Sequence, residues 1–394
     1  MKSWLLTIGL IFLIALEILR VYFIMPFPGS QHANTIHLAY FIDKNIWWLR
    51  LIGFAIVIIP LSHVLKYSKV WRKILLLLIV ILYCFIAYEF NFKFLADKMF
   101  YQPEYKLLLN ASADTTNRNK LIVGVAINGE AKAYPLEIIG YHHQVRDTIG
   151  GEPVMITYCS VCRTGRAYSP YIHGKLQDFR LVGMDHFNAM FEDEATKSWW
   201  RQESGMAIAG SLKGTSLKEI PSQQMALADW LALHPNSYIL QPDSNFKKEY
   251  ADLTGYDEDT LKSSLEKRDS ASWKLKSWVI GVNINNHTKA YDWNAVAKKN
   301  LIEDSVAGVS LLLTMKQDER TFYVLNRNTS NGILHFSFDS AGQILHDDKT
   351  NSTWNINGVC IDGVMKGTQL KTEQSYQEFW HSWKEFHPQT EVYK

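Results

Sequence analysis

Residues 123–134 read VGVAINGEAKAY, and residues 280–291 read IGVNINNHTKAY, so one stretch of sequence occurs twice in the chain. The alignment of the two stretches needs no gap and continues as far as Thr157, which falls opposite Thr314. Further matches are Asp147 with Asp304, Gly151 with Gly308, TKSWW at 196–200 with TNSTW at 350–354, KGT at 213–215 with KGT at 366–368, Trp230 with Trp383, and His234-Pro235 with His387-Pro388. Similarity spread over more than a hundred residues predicts a tandem duplication of one domain.

Each copy is predicted to be mainly β, with one helix close to its end. Alternating β-branched runs at 121–127 and 154–158 are punctuated by Asn-Gly and Gly-Gly, which favour tight turns between strands. Residues 222–233 and 375–386 are amphipathic instead, and each stretch is closed by His-Pro, where proline stops a helix. We therefore expect an α+β, mainly β soluble part made of two β-rich repeats, each with a terminal helix.

Three apolar runs, at 4–25, 46–65 and 74–88, precede the repeats and predict an α-helical membrane anchor. The third run reaches the ~20 residues that cross a bilayer only if Phe90 and Phe92 settle at the interface. A cleaved signal peptide is the alternative for the first run, but that run exceeds a usual signal core and no small-residue cleavage site follows it. The predicted domains are the three-helix anchor at 1–92, a first repeat at 93–240, a connecting segment at 241–277 that wraps over one copy, and a second repeat at 278–394.

The placement of charge predicts the orientation of the anchor. The loop between the second and third runs carries Lys66, Lys69, Arg72 and Lys73, whereas the loop at 26–45 carries one acid and one base. Because basic loops face the cytoplasm, the third helix would run outward and place the repeats on the periplasmic side of a bacterial inner membrane. Membrane lipid is therefore the expected partner of the three helices.

Composition excludes several classes of function. The chain has 394 residues and a formal net charge of +2, with acids and bases nearly matched, so nothing indicates a nucleic-acid surface. No G-x-G-x-x-G, Walker loop, G-x-S-x-G or H-E-x-x-H motif occurs, which removes the usual nucleotide-binding, hydrolase and zinc-protease hypotheses. Glu17 and Arg20 are expected to pair on one face of the first helix, and one such pair supplies no transport pathway.

Residues present in only one copy are the candidates for chemistry, because residues shared by both copies serve the fold. The first copy reads YCSVCRTG at 158–165 where the second reads MKQDERTF at 315–322, so the C-x-x-C pair Cys159 and Cys162 occurs once. His142 and His143 are also absent from the second copy, which has Lys299 and Asn300 there. The shared pairs His234 with His387 and Trp200 with Trp354 are expected to pack. One working site and one degenerate copy would explain this pattern.

A C-x-x-C pair brings two sulfurs close enough to form a disulfide or to share a metal, and cationic neighbours lower the pKa of a thiol. The candidate neighbours are His142, Arg163 and Arg166, with His143 and His186 as weaker ones. Outside the cytoplasm a structural disulfide is one alternative. A zinc or copper site that uses both cysteines and His142 is another, although adjacent histidines on a strand point to opposite faces. Of the other cysteines, Cys360 is expected to be an inert core thiol, and Cys84 lies in the third apolar run.

These residues resemble the signature of a bacterial family, the "domain of unknown function 3179" family, which runs A-Y-P, a histidine, N-D-x-x-G-G and T-Y-C-P-L-C-G-T. The matching stretches are AKAYP at 131–135, His142, DTIGG at 147–151 and TYCSVC at 157–162, followed by the region of Trp200 and Gly210. The chain departs from the signature with Ser160 and Val161 between the cysteines and Arg163 where glycine is usual, and His143 has no counterpart. The resemblance covers nearly all of the soluble part and implies that His142, Cys159 and Cys162 form the site. Some family members are named as selenoproteins, with selenocysteine in place of a motif cysteine, which implies redox chemistry.

The leading hypothesis is therefore a thiol-based redox protein in which one of Cys159 and Cys162 attacks, the other resolves, and His142 assists proton transfer. Its partner would be a thiol or a disulfide. The alternative is a non-catalytic module that binds or carries copper or zinc through the same residues, and a structural disulfide remains the third possibility. The second repeat would cover the first.

Overall fold

The computed structural model describes residues 2–261 and 263–394. The chain divides into two compact units. A helical unit comprises Met1–Tyr101 and Tyr171–Leu217, and a β unit comprises Gln102–Pro170 and Lys218–Lys394. Residues 93–240, the predicted first repeat, thus contribute to both units.

The helices of the two units are α1 Lys2–Tyr22, α2 Ile36–Tyr67, α3 Val70–Phe92, α4 Ala96–Met99, α5 Leu136–His142, α6 Leu227–Leu233, α7 Lys247–Asp252, α8 Trp293–Lys299 and α9 Trp380–Phe386, with short 3-10 turns at Ser30–His32 and Ser244–Phe246.

The strands, in chain order, are β1 Leu108–Asn110, β2 Leu121–Ile127, β3 Glu130–Pro135, β4 Gln144–Ile149, β5 Glu152–Cys159, β6 Thr164–Tyr168, β7 Tyr171–Ile172, β8 Lys175–Leu176, β9 Phe179–Asp185, β10 Asn188–Asp193, β11 Trp199–Arg201, β12 Ala207–Ala209, β13 Glu219–Ile220, β14 Gln223–Ala226, β15 Tyr238–Leu240, β16 Trp278–Ile284, β17 His287–Asp292, β18 Leu301–Val306, β19 Val309–Met315, β20 Phe322–Asn326, β21 Asn328–Thr329, β22 Gly332–Ile333, β23 Phe336–Asp339, β24 Ile344–Asp347, β25 Thr353–Asn355, β26 Cys360–Asp362, β27 Ser375–Phe379 and β28 Glu391–Val392.

Three helices of the described chain, α1, α2 and α3, are long and apolar enough to cross a membrane. They contain the three predicted apolar runs, although α1 ends before the predicted residue 25 and α2 starts well before the predicted residue 46. Helix α3 continues to Phe92, so Phe90 and Phe92 extend the run that the sequence left short. Most side chains of α3 are exposed, which suits a helix that faces lipid.

Ion pairs between neighbouring helices replace the predicted pair within α1. Both nitrogens Nε and Nη2 of Arg50 in α2 donate to the Glu17 carboxylate, at 2.7 and 2.6 Å. Arg20 donates instead to Asp43 of α2, at 3.2 Å, and to Asn91 of α3, at 2.6 Å. The predicted Glu17–Arg20 pair is therefore wrong, because each charge finds a partner on a helix packed against its own. The network joins α1, α2 and α3.

The helical unit also contains one four-stranded sheet, in the order β12-β11-β10-β9. The amide of Met184 in β9 donates to the carbonyl of Ile24, after the end of α1, at 2.7 Å. Close to the start of α2, the Tyr40 hydroxyl donates to the Lys197 carbonyl at 3.2 Å, and Lys44 forms an ion pair with Glu192. The sheet is thus bonded to the chain at one end of α1 and α2.

The β unit contains a first β segment, before residue 241, and a second β segment, from residue 278 onward, whose elements come in the same order. In the first, β2, β3, α5, β4, β5 and β6 follow one another, and in the second, β16, β17, α8, β18, β19 and β20 do. Val123 pairs with Tyr134 across β2 and β3, and their counterparts Ile280 and Tyr291 pair across β16 and β17. The hairpin turn between β2 and β3 has positive φ at both Asn128 and Gly129, as tight hairpins require.

The two terminal helices are shorter than predicted. Residues 223–226 form strand β14 on β2 before α6 begins, and strand β27 pairs likewise with β16 before α9. The predictions of helix over 222–233 and 375–386 are therefore wrong in their first halves, because those residues complete the edge of a sheet.

The shared tryptophans and histidines pack as predicted. His234 lies against Trp230 with the ring centroids 4.2 Å apart, and His387 lies against Trp383 at 4.1 Å. Trp200 and Trp354 are buried in the helical unit and the β unit, respectively. These shared residues therefore serve the fold.

One core of the β unit takes side chains from both β segments. It includes Ile122 and Met225 of the first with Leu312 and Trp354 of the second, and Cys360 belongs to it as the predicted core thiol. At the edges of the sheets, Gln224 of β14 bonds to Gln377 of β27. The two β segments are therefore packed on one another.

Candidate functional site

The C-x-x-C sequence forms the turn of the hairpin between β5 and β6. Cys159 ends β5 and pairs with Thr164 at the start of β6, so Cys162 lies in the turn. Arg163 closes the turn with a φ of 58°, in the left-handed region that favours glycine. Both cysteines are present as thiols and both are 0% exposed. The local sequence thus places two sulfurs on one short, buried loop.

Parts of the chain far from the hairpin hold the carbonyl groups of this turn. The Tyr256 hydroxyl donates to the Ser160 carbonyl at 2.8 Å, and the Lys276 ammonium donates to the Val161 carbonyl at 2.9 Å. The amide of Phe379, in β27, donates to the Cys162 carbonyl at 2.8 Å. Because these donors come from the connecting segment and from the second β segment, both of those parts enclose the turn.

Lys276 supplies a positive charge beside both sulfurs. Burial lowers the pKa of its ammonium, while the nearby Cys162 and Cys159 act in the opposite direction. The Nζ of Lys276 also donates to the Leu265 carbonyl at 2.6 Å. The same nitrogen lies 4.6 Å from the centroid of the Phe379 ring. An ammonium in this position favours the thiolate forms of the cysteines.

Two tyrosine hydroxyls lie close to Cys159. The hydroxyls of Tyr158 and Tyr256 are 3.0 Å apart, and burial raises the pKa of both, with a further rise from the nearby Cys159. Both groups therefore keep their protons at neutral pH. Because the Tyr256 hydroxyl donates to the Ser160 carbonyl, the Tyr158 hydroxyl is the donor to Tyr256.

The two histidines lie at a helix end and not on a strand. His142 is the last residue of α5, and its Nε2 is 2.6 Å from the Tyr250 hydroxyl of α7. His143 follows with a φ of 58°, and its Nδ1 is 3.0 Å from the Tyr158 carbonyl. Burial lowers the pKa of His143 to about 4, so this ring is neutral at neutral pH. The prediction that the two rings alternate across a strand is wrong, because α5 and its left-handed cap reverse the chain here.

The two arginines of the hairpin differ in their surroundings. Arg166 donates to the Glu378 carboxylate at 3.2 Å, and its guanidinium carbon lies 3.1 Å from the centroid of the Tyr376 ring. Arg163 donates to the Tyr256 carbonyl at 3.1 Å and lies over the ring of Trp278. Arg166 thus ties the first β segment to the second, whereas Arg163 stays beside the C-x-x-C turn.

His186 belongs to the helical unit, whereas the C-x-x-C turn belongs to the β unit. It occupies the turn between β9 and β10, where its Nδ1 is 2.7 Å from Asp185. The Nε of Arg201 donates to the other oxygen of that carboxylate, at 3.1 Å. These contacts make His186 part of a polar cluster at a hairpin turn.

The side chains of the described residues form no cluster of three or more metal ligands. Within residues 2–261 and 263–394, no group of three or more His, Cys, Asp or Glu side chains is placed to hold a metal ion. A closed zinc site needs four such ligands. A closed four-ligand zinc site is therefore not formed by Cys159, Cys162 and His142 with other described residues.

Sequence reasoning missed Lys276, Tyr256 and Tyr250, which all come from the connecting segment. That segment has no counterpart in the internal alignment, so comparison of the repeats could not single them out. The sequence contains one indication: the connecting segment at 241–277 matches neither repeat and was expected to wrap over one of the two repeats. Its contacts with the C-x-x-C turn agree with that expectation.

Comparison with known proteins places the chain in a family without assigning a reaction. No curated protein and no solved structure matches the chain. The family described as "Protein of unknown function (DUF3179)" matches residues 100–390, which include the C-x-x-C turn, the connecting segment and both β segments. With most of its length matched, the chain belongs to the DUF3179 family.

Proposed function

We propose that the protein is a thiol-based redox protein that exchanges electrons through Cys159 and Cys162. The observation that carries the proposal is the ammonium of Lys276, which interacts electrostatically with both sulfurs while it holds the Val161 carbonyl between them. A buried structural bridge has no need of a cation beside it. A thiolate does, because burial otherwise raises the pKa of a thiol.

The proposed reaction is thiol–disulfide exchange. One thiolate attacks a disulfide R–S–S–R, forms a mixed disulfide with one half and releases the other half as a thiolate. The second cysteine then attacks the bonded cysteine sulfur and releases the remaining half. The protein pair loses two electrons and gains an S–S bond, and the partner disulfide becomes two thiols. Lys276 stabilises the attacking thiolate, while the Tyr256 hydroxyl holds the Ser160 carbonyl of the turn.

His142 is proposed to assist proton transfer in this exchange. Two features support the assignment. The residue occurs in the first β segment and has a lysine as its counterpart in the second. Its ring is fully buried, with a tyrosine hydroxyl of the connecting segment on Nε2. A buried imidazole in contact with a hydroxyl group can exchange a proton without exposing the thiols to water.

The location and the internal duplication are also proposals. The basic loop from Lys66 to Lys73 supports a cytoplasmic position for the turn between α2 and α3, and hence a multi-pass protein of the bacterial inner membrane with its β unit in the periplasm. The common order of elements in the two β segments supports their origin from one duplicated domain. After such a duplication, the second copy would have lost the two cysteines and would pack over the first copy.

Serine variants of the full chain test the exchange reaction. Replacing the resolving cysteine should trap a mixed disulfide with a small thiol or a partner, because the second attack is removed. The Cys159→Ser and Cys162→Ser variants should therefore differ, and the double variant should trap nothing. Cys360→Ser is the matched control, since that thiol is also buried and belongs to a core cluster that contains neither Cys159 nor Cys162. The proposal fails if the oxidised protein resists reduction and each serine variant loses only stability.

A further inference from the structure

Arg163 is a buried cation with an incomplete set of partners. Its side chain is 1% exposed, and its Nη1 donates to the Tyr256 carbonyl at 3.1 Å. Its Nε and Nη2 have no hydrogen-bond partner in the described residues, and it forms no ion pair with a carboxylate of those residues. A buried guanidinium left in this state costs several kcal/mol relative to one in water. Such donors can take a further acceptor.

Arg166, on the same hairpin, has a buried carboxylate as its ion-pair partner. It is 2% exposed, and Glu378 gives it a carboxylate at 3.2 Å. The fold therefore places an acid in ion-pair contact with one buried arginine of the hairpin, whereas the other has no described acid at that distance. Asp257 is the acid whose charge reaches Arg163, but its Oδ2 accepts from the Leu121 amide and its Oδ1 has no partner.

The Trp278 ring contacts a second guanidinium besides that of Arg163. The guanidinium carbons of Arg163 and Arg268 lie 4.0 and 4.1 Å from the centroid of the Trp278 ring. Within the described chain, the Nε of Arg268 and the Nε1 of Trp278 also lack hydrogen-bond partners. Arg268 forms no ion pair with a described acid, and the charge of Arg163 contributes to lowering its pKa, after burial. Three neighbouring side chains thus present donors and positive charge with too few acceptors.

The identity of the unpartnered nitrogens specifies the ligand. Nε and Nη2 lie on the same edge of a guanidinium, and this edge receives the two oxygens of a carboxylate in parallel hydrogen bonds. Arg163 directly follows Cys162, so a carboxylate bound there would lie beside the cysteine pair. We propose that Arg163, with Arg268 and Trp278 beside it, binds the carboxylate of a small thiol or disulfide, which is the substrate of the cysteine pair.

The substrate part of this proposal rests on the proposed redox function, whereas the carboxylate site does not. A disulfide that carries carboxylates would oxidise the protein dithiol to a disulfide and leave as two carboxylate thiols, with two protons and two electrons transferred. Since Arg163 is buried, the connecting segment that supplies Tyr256 and Arg268 must move as the ligand enters.

A thioether that cannot exchange tests the site alone. The probes are 3-(methylthio)propanoate and its neutral amide, added to the reduced full chain in detergent micelles and followed by calorimetry. The carboxylate should bind saturably and the amide about tenfold more weakly or not at all, because charge-assisted hydrogen bonds are lost. Arg163→Gln should weaken carboxylate binding by about tenfold or more, and Arg320→Gln, which removes a more exposed charge of the β unit, should not. Thermal unfolding checks that each variant is folded.

Equal binding of the two probes, no binding of either, or unchanged affinity in Arg163→Gln would overturn the site. A second measurement separates this failure from failure of the redox proposal. Reduced protein should be oxidised about tenfold faster by 3,3'-dithiodipropionate than by neutral 2-hydroxyethyl disulfide, and Arg163→Gln should abolish the preference. Exchange with both disulfides at equal rates would contradict the substrate assignment. Carboxylate binding without any exchange would contradict the redox function and leave the site standing.

Discussion

The Tyr256→Phe substitution should make the buried cysteine pair react faster with thiol reagents. Cys159 and Cys162 are 0% exposed, so a reagent reaches them only when the connecting segment opens. The Tyr256 hydroxyl holds that segment through two buried hydrogen bonds, to the Ser160 carbonyl at 2.8 Å and to the Tyr158 hydroxyl at 3.0 Å. Phenylalanine keeps the ring and removes both bonds.

The size of the effect follows from these bonds. A typical hydrogen bond contributes about 1 kcal/mol net, and a buried group left without its partner costs about 1–3 kcal/mol. The free energy needed to open the connecting segment should therefore fall by about 1–3 kcal/mol. If opening is a rapid pre-equilibrium, labelling of the cysteines becomes about 5 to 150 times faster. The assay is mass spectrometry of the peptide that contains both cysteines, after timed exposure of the reduced full chain to a maleimide.

Tyr291→Phe is the matched control for this prediction. Tyr291 is also fully buried, and its hydroxyl donates to Asp304 at 3.0 Å in the second β segment, away from the thiols. This variant should leave the labelling rate nearly unchanged. Labelling of the unaltered protein as fast as that of a free small thiol would refute the reasoning, and so would equal acceleration by both variants, because that result would indicate global unfolding.

Three further predictions concern stability and orientation. Gly124→Ala should destabilise the protein by roughly 1–3 kcal/mol in thermal unfolding, because a Cβ there would lie 2.4 Å from Cε3 of Trp230. Burial raises the pKa of the Asp257 carboxyl from 3.8 to about 6. The ionised carboxylate therefore destabilises the folded protein above about pH 6, and this destabilisation is absent below pH 3.8. Asp257→Asn should then stabilise the protein by up to about 3 kcal/mol at pH 7.5, with the gain vanishing near pH 4 in unfolding measurements. A reporter fused after Lys394 should be active outside the cytoplasm if the basic loop at 66–73 lies inside, and cytoplasmic activity would reverse the orientation.

Local periodicity was enough to predict the strands that position the site. Strand β2 spans the predicted 121–127, and the C-x-x-C pair lies on a hairpin because the adjoining β-branched run is a strand. The register between β2 and β3 follows from the Asn-Gly turn. Short-range patterns of this kind need no knowledge of distant residues.

Features that depend on distant contacts could not be predicted in the same way. Lys276 reaches the Val161 carbonyl from 115 residues away, and no pattern within the connecting segment indicates that partner. Glu17 pairs with Arg50 through helix packing, which a single helix sequence does not encode. The α5 helix, with His142 at its end, has only seven residues, too few for a helical period to stand out beside the neighbouring strands.

The reduction potential of the Cys159–Cys162 pair separates a redox centre from a structural bridge most directly. It can be measured on the full chain in detergent micelles, by equilibrating the protein in thiol–disulfide buffers of known potential and trapping the free thiols for mass spectrometry. Structural disulfides typically have potentials below about −300 mV. If the pair exchanges electrons with a substrate, its potential should lie well above that value, and a potential below it would contradict the proposed function.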